Sequence, residues 1–138
     1  MSATKHNKDK PQIGYLHPAT MAECAYAHQA GEVKYGRYNY LKGHSERELL
    51  EAAIRHLQAA LWEGESDMDS SSRIGRSVSH VGCVLANMNM LLTQKALGTL
   101  KEDAPFRALQ SVSTPVVDIN FKEPEDLEDI QGGIVWES

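Results

Sequence analysis

The sequence predicts an all-α protein, a bundle of few helices completed by oligomerisation. Three observations carry this. Leu49, Leu50, Ala53, Ile54, Leu57, Ala60 and Leu61 form one apolar stripe at helical spacing. Ile74, Val78, Val81, Leu85, Met88 and Leu92 form a second. Gly31, Gly64 and Gly98 stand where helical patterns stop.

Taken in order, residues 1–17 lack periodicity and read as a flexible arm. A first helix is predicted from about Pro18 to Ala30. Pro18 suits the first helical turn, five alanines favour helix, and Gly31 supplies the C-cap. The stretch 31–44 is then a long loop, which in a compact domain signals function. The second helix has the clearest start, because Ser45-Glu46-Arg47-Glu48 is a capping box. It should run to about Glu63, where Gly64 stops it. Asp67 to Ser72 reads as a turn ending in N-cap candidates, and a third helix follows over roughly Arg73 to Ala96. The helical domain thus spans 18–100. Residues 101–138 read as an acidic, loosely structured arm. Within it, a helical turn is expected near Phe106–Leu109 and a brief extended piece at Val116, Val117 and Ile119.

Composition narrows the function. A length of 138 residues and a hydrophobic content of 41% fit one modest domain with a real core. The net charge of -5 argues against nonspecific duplex binding, which needs a basic surface. A polyanionic ligand would need a local basic site or a bridging metal. Cys24 and Cys83 make no disulfide framework and fit a reducing compartment. The polar start reads as no signal peptide, and no apolar run nears the roughly 18–20 residues of a membrane span. The expectation is a cytoplasmic protein.

The run from Glu32 to Gly43 crowds Lys34, Arg37, Lys42, Tyr35, Tyr38, Tyr40 and Asn39 among glycines. Cations beside aromatic rings suit an anionic, planar ligand such as a nucleotide. On the predicted third helix His80, Cys83 and Asn87 share a face opposite the apolar stripe, with Arg73 and Arg76 extending it. That face is either a pocket wall, with His80 as ligand or proton shuttle, or a solvated side. Glu51 and Arg55, spaced i, i+4, are either a surface ion pair or a metal ligand and a phosphate contact. Glu48 is claimed by the capping box and by metal binding alike. Glu63, Glu65, Asp67 and Asp69 offer hard oxygen donors at a helix end, or simply an exposed acidic turn. No P-loop, dinucleotide fingerprint, Gly-x-Ser-x-Gly elbow or Cys-x-x-Cys pair occurs.

In order, Lys34-Tyr35-Gly36, Asn39-Tyr40, Gly43, Glu51 to Leu57 with Arg55-His56, Gly64-Glu65, Asp67, His80 and Asn87 form a pattern. It resembles that of the phage dATP/dGTP diphosphohydrolase family, which includes the MazZ enzymes and is related to the all-α MazG-like pyrophosphohydrolases. The resemblance covers about residues 18–97. It implies a MazG-like helical bundle assembled as a dimer or tetramer. It also implies metal-dependent cleavage of a purine dNTP, most of all dGTP or dATP, to the monophosphate and pyrophosphate. In some phage members the dGMP so made serves replacement of adenine by 2-aminoadenine. Carried onto this chain, Mg²⁺ or Mn²⁺ would be held among Glu48, Glu51, Glu65 and Asp67, with Glu51, Glu65 and His80 in catalysis. Lys34, Tyr35, Asn39, Arg55, His56 and Asn87 become substrate contacts. Three departures stand out: Tyr40 replaces a common tryptophan, Cys83 stands where many relatives carry a second histidine, and the stretch from His56 to Gly64 is one residue longer, so that either Glu63 or Glu65 takes the family position. Rival readings are a noncatalytic nucleotide-binding or adaptor module, and a zinc site at His56, His80 and Cys83.

Overall fold

The computed structural model describes residues 2–110. Residues up to Asp103 form one compact unit and those from Ala104 a second. The first holds α1 (Pro18–Tyr35), α2 (Glu46–Trp62), α3 (Met68–Ile74) and α4 (His80–Leu97), with 3₁₀ turns at Ile13–Tyr15 and Asn39–Lys42. The described part of the second holds α5 (Arg107–Gln110), where a helical turn was expected. Among the described residues there is no strand, only isolated bridges pairing Ser45 with Lys101 and Ser66 with Ser79. The fold is all-α. The expected extended piece at Val116, Val117 and Ile119 lies outside the described residues.

α1 begins as predicted, with His17 Nδ1 accepting from the Ala19 N–H at 3.0 Å and Pro18 in the first turn. It does not stop at Gly31. An interior glycine costs only about 1 kcal/mol relative to alanine, and the helix runs on through Glu32 to Tyr35. The helix ends instead at Gly36, whose φ of +93° no β-carbon-bearing residue adopts easily. The expected 14-residue loop thereby shrinks to a short connection containing a 3₁₀ turn.

α2 keeps its predicted start: Ser45 Oγ accepts from the Glu48 N–H at 3.2 Å. A residue distant in sequence adds to this cap. Asp103 accepts from the Arg47 N–H at 3.0 Å and from Ser45 Oγ at 2.6 Å, bonds that hold its carboxyl below the usual carboxylate range. Glu48 is left free to face elsewhere.

The predicted single helix from Arg73 is two helices. Gly75, left-handed at φ +68°, ends α3, and Ser79 caps α4 by accepting from the Gly82 N–H at 2.8 Å. Asp67 to Ser72, expected as a turn, therefore lies largely within α3. Arg73 and Arg76 are not on α4: Arg73 pairs with Asp69 at 3.0 Å, and the Arg76 guanidinium stacks 3.5 Å from the Tyr26 ring centre.

α4 is the central element, packed by α1 and α2. Ala27, Ala30, Val78, Cys83 and Ala86 make the core cluster, and Leu49 and Ala53 are buried from α2. These small residues let the backbones approach closely; a β-carbon on Gly82 would come 2.7 Å from the Glu23 carbonyl oxygen. The polar face of α4 points inward: His80, Cys83 and Asn87 are buried. Much of the apolar stripes points outward, with Ile54, Leu57 and Leu61 of α2 and Val81 and Leu92 of α4 exposed.

Candidate active-site cleft and donor cluster

Two neighbouring features hold the chemistry. The first is a cleft of about 570 Å³, walled by the end of α1, the 36–40 connection and the start of α2. That volume is in the range of small-molecule sites. Tyr35, Tyr38 and Tyr40 supply rings, and Asn39 an amide that can both donate and accept. Glu32 and Glu48 supply carboxylates, and Arg37 a guanidinium placed 5.3 Å from the Tyr38 ring centre.

Local backbone geometry shapes this wall. Gly36 and Tyr38, at φ +93° and +58°, turn the chain twice within three residues. Gly43 is required for packing as well as conformation, because a β-carbon there would meet the Thr99 carbonyl oxygen. His28 closes the cleft from α1, its ring 5.1 Å from that of Tyr40 and its Nε2 accepting from Asn89 Nδ2 at 2.9 Å. Burial pushes the His28 imidazole below its ordinary value. Asn87 reaches the cleft from α4 while its Nδ2 donates to the Cys83 carbonyl at 2.8 Å.

The second feature lies one helical turn along α2 and α4 from Ala52 and Asn87 of the cleft. His56, Asp67 and Cys83 place donor atoms within 4.8 Å of one another. The segment 65–67 is pinned to the start of α4, since the Asp67 N–H donates to the Val78 carbonyl at 2.8 Å and the His80 N–H to the Glu65 carbonyl at 2.9 Å. Ser70 Oγ donates to Asp67 Oδ2 at 2.5 Å, and Arg73 Nη2 donates to Ser70 Oγ at 3.1 Å. His56 Nδ1 and His80 Nδ1 face each other at 3.0 Å. Burial pushes His56 below its ordinary value and the Cys83 thiol up to about 11. Burial also pushes Asp67 up, but the Ser70 hydrogen bond and the two histidines outweigh it and leave the carboxyl below its usual range.

The residues expected in a site separate into groups. Tyr35, Asn39, Glu48 and Asn87 line the cleft. His56, His80 and Asp67 gather at the cluster. Lys34 is exposed at the end of α1, 5.2 Å from the Tyr35 ring centre. Glu51 pairs with Arg47 at 2.8 Å, and Arg55 and Glu65 are exposed; none of these three lines the cleft. The four acids expected as metal ligands are thus divided between the two features and the surface. Glu32, His28 and His44 line the cleft without having been expected there. The extension of α1 past Gly31 brings Glu32 in, and only a tertiary contact brings His28 to Tyr40.

A profile of the family described as dATP/dGTP diphosphohydrolase, N-terminal, matches residues 2–104. No curated protein and no solved structure matches the chain.

Proposed function

The chain belongs to the dATP/dGTP diphosphohydrolase family, and from that premise we propose that it cleaves a purine dNTP between its α- and β-phosphates. The products are the monophosphate and pyrophosphate, with dGTP and dATP the substrates. The observation that carries this reading is the cleft, where three tyrosines and Asn39 stand beside Glu32 and Glu48.

The aromatic rings offer faces for a purine, and the Asn39 amide offers paired hydrogen bonds to a base edge. Two carboxylates beside a triphosphate repel it unless a divalent cation intervenes. Mg²⁺ or Mn²⁺ fits that need, because such ions take one or two carboxylates plus substrate phosphates rather than a complete protein cage. When bound, the ion neutralises the triphosphate and lowers the pKa of attacking water. Glu48 is placed to accept the water proton or to orient the water. Arg37, with Lys34 at the edge, offsets charge growing on the pyrophosphate leaving group. The exposed stripes on α2 and α4 suit a second copy of the chain, making the working form a homo-oligomer.

Glu48→Gln tests the assignment of the cleft. Turnover of dGTP should fall by about 10²-fold or more while dGTP still binds, as measured by calorimetry. Turnover at the wild-type rate would take the hydrolysis away from this cleft.

A further inference from the structure

We propose that His56, Asp67 and Cys83 form a resident site for a zinc-class divalent ion, separate from the cation that accompanies a triphosphate. The three donors come from α2, the N-cap of α3 and α4, and all lie within 4.8 Å of one another. Zinc takes nitrogen, sulfur and oxygen ligands at about 2.0–2.3 Å, which in a tetrahedron sets neighbouring donors about 3.3–3.7 Å apart. Asp67 Oδ2 and Cys83 Sγ stand 3.8 Å apart, close to that spacing. Thiolate and imidazole ligands suit zinc and its neighbours, whereas Mg²⁺ demands oxygen.

The surroundings are built as supports for such a set. Ser70 donates to this same Asp67 Oδ2, and Arg73 in turn donates to Ser70. His80 Nδ1, 3.0 Å from His56 Nδ1, restrains that ring. Cys83 is buried while His56 and Asp67 are half-buried, so an ion can enter past them. Three protein ligands leave a coordination position open, as in zinc sites that react or exchange. One turn of α2 and α4, about 6 Å, separates this cluster from the nearest cleft residues on the same helices. The proposal rests on the donors and holds whether or not the cleft cleaves nucleotides.

Cobalt titration of the metal-free, full-length protein tests it without reference to activity. We expect one cobalt per chain, with intense visible bands of low coordination number and a near-ultraviolet thiolate-to-cobalt charge-transfer band. One equivalent of zinc should displace it, and a large excess of Mg²⁺ should not. Cys83→Ser should abolish the charge-transfer band, and Cys24→Ser should leave it intact. His56→Gln should weaken cobalt binding by about tenfold or more. Far-ultraviolet circular dichroism reports whether each variant is folded; should Cys83→Ser unfold, the His56→Gln titration decides. Absence of a thiolate band in the wild type, its survival in folded Cys83→Ser, unchanged affinity in His56→Gln, or displacement by Mg²⁺ would each overturn the site.

Discussion

The amide of Gln94, fully buried on α4, ties the cleft wall to the helix beneath it. Its Oε1 accepts from the His44 N–H at 2.7 Å, and its Nε2 donates to the Tyr40 carbonyl and to His44 Nδ1, each at 2.8 Å. Leucine at this position keeps much of the volume but strands a backbone donor and acceptor, each costing about 1–3 kcal/mol when left without a partner. Gln94→Leu should therefore lower unfolding stability by about 3 kcal/mol, read as a lower urea midpoint at unchanged slope. A loss below about 1 kcal/mol would mean that water reaches the freed groups. Nothing in the sequence marks Gln94, because a glutamine between Leu92 and Leu97 looks like any helix surface residue. By contrast His80, Cys83 and Asn87 were legible as one face, since helical spacing alone unites them. Spacing could not tell whether that face lies inside. Asp67 and Cys83 meet only because α3 separates from α4, a tertiary fact.

At the level of elements, local signals were reliable where side chains act on their own backbone. Ser45 and Pro18 begin helices as their chemistry dictates, and Gly64 follows the end of α2. Errors occur where a glycine could act in two ways. Gly31 sits where a stop is expected, yet one interior glycine costs only about 1 kcal/mol and α1 continues to Gly36, whose positive φ does end it. Gly75 lies within an apolar stripe that predicts continuous helix, yet it takes the left-handed conformation that ends α3. Pairing of residues 65–67 with 78–80 then uses the released chain, a contact between segments that no local pattern announces. The same holds for Asp103, which caps α2 from far along the chain. These tertiary choices assemble the cleft and the cluster, and no local pattern announces which residues meet at which.

For the whole molecule, the outward apolar stripes are the feature that one chain leaves unfinished. Leu61 and Leu92 are 78% and 64% exposed, although each belongs to a stripe with helical periodicity. A second copy presenting the same stripes would bury them in an isologous, coiled-coil-like interface. Light scattering should give a mass of at least two chains, and Leu57→Glu, on the exposed stripe of α2, should reduce it. A wild-type mass of one chain would remove the oligomer from the account. The cleft lies at the end of α1 and the start of α2, with Glu32 and Glu48 among its walls. The central claim is that hydrolysis there separates the α- and β-phosphates. Phosphorus NMR of dGTP incubated with the protein and Mg²⁺ or Mn²⁺ tests it most directly. Pyrophosphate should appear in step with dGMP and without orthophosphate. Orthophosphate with dGDP would place the cut at the other anhydride bond, and intact dGTP with either metal would mark a binding module; either result contradicts the account.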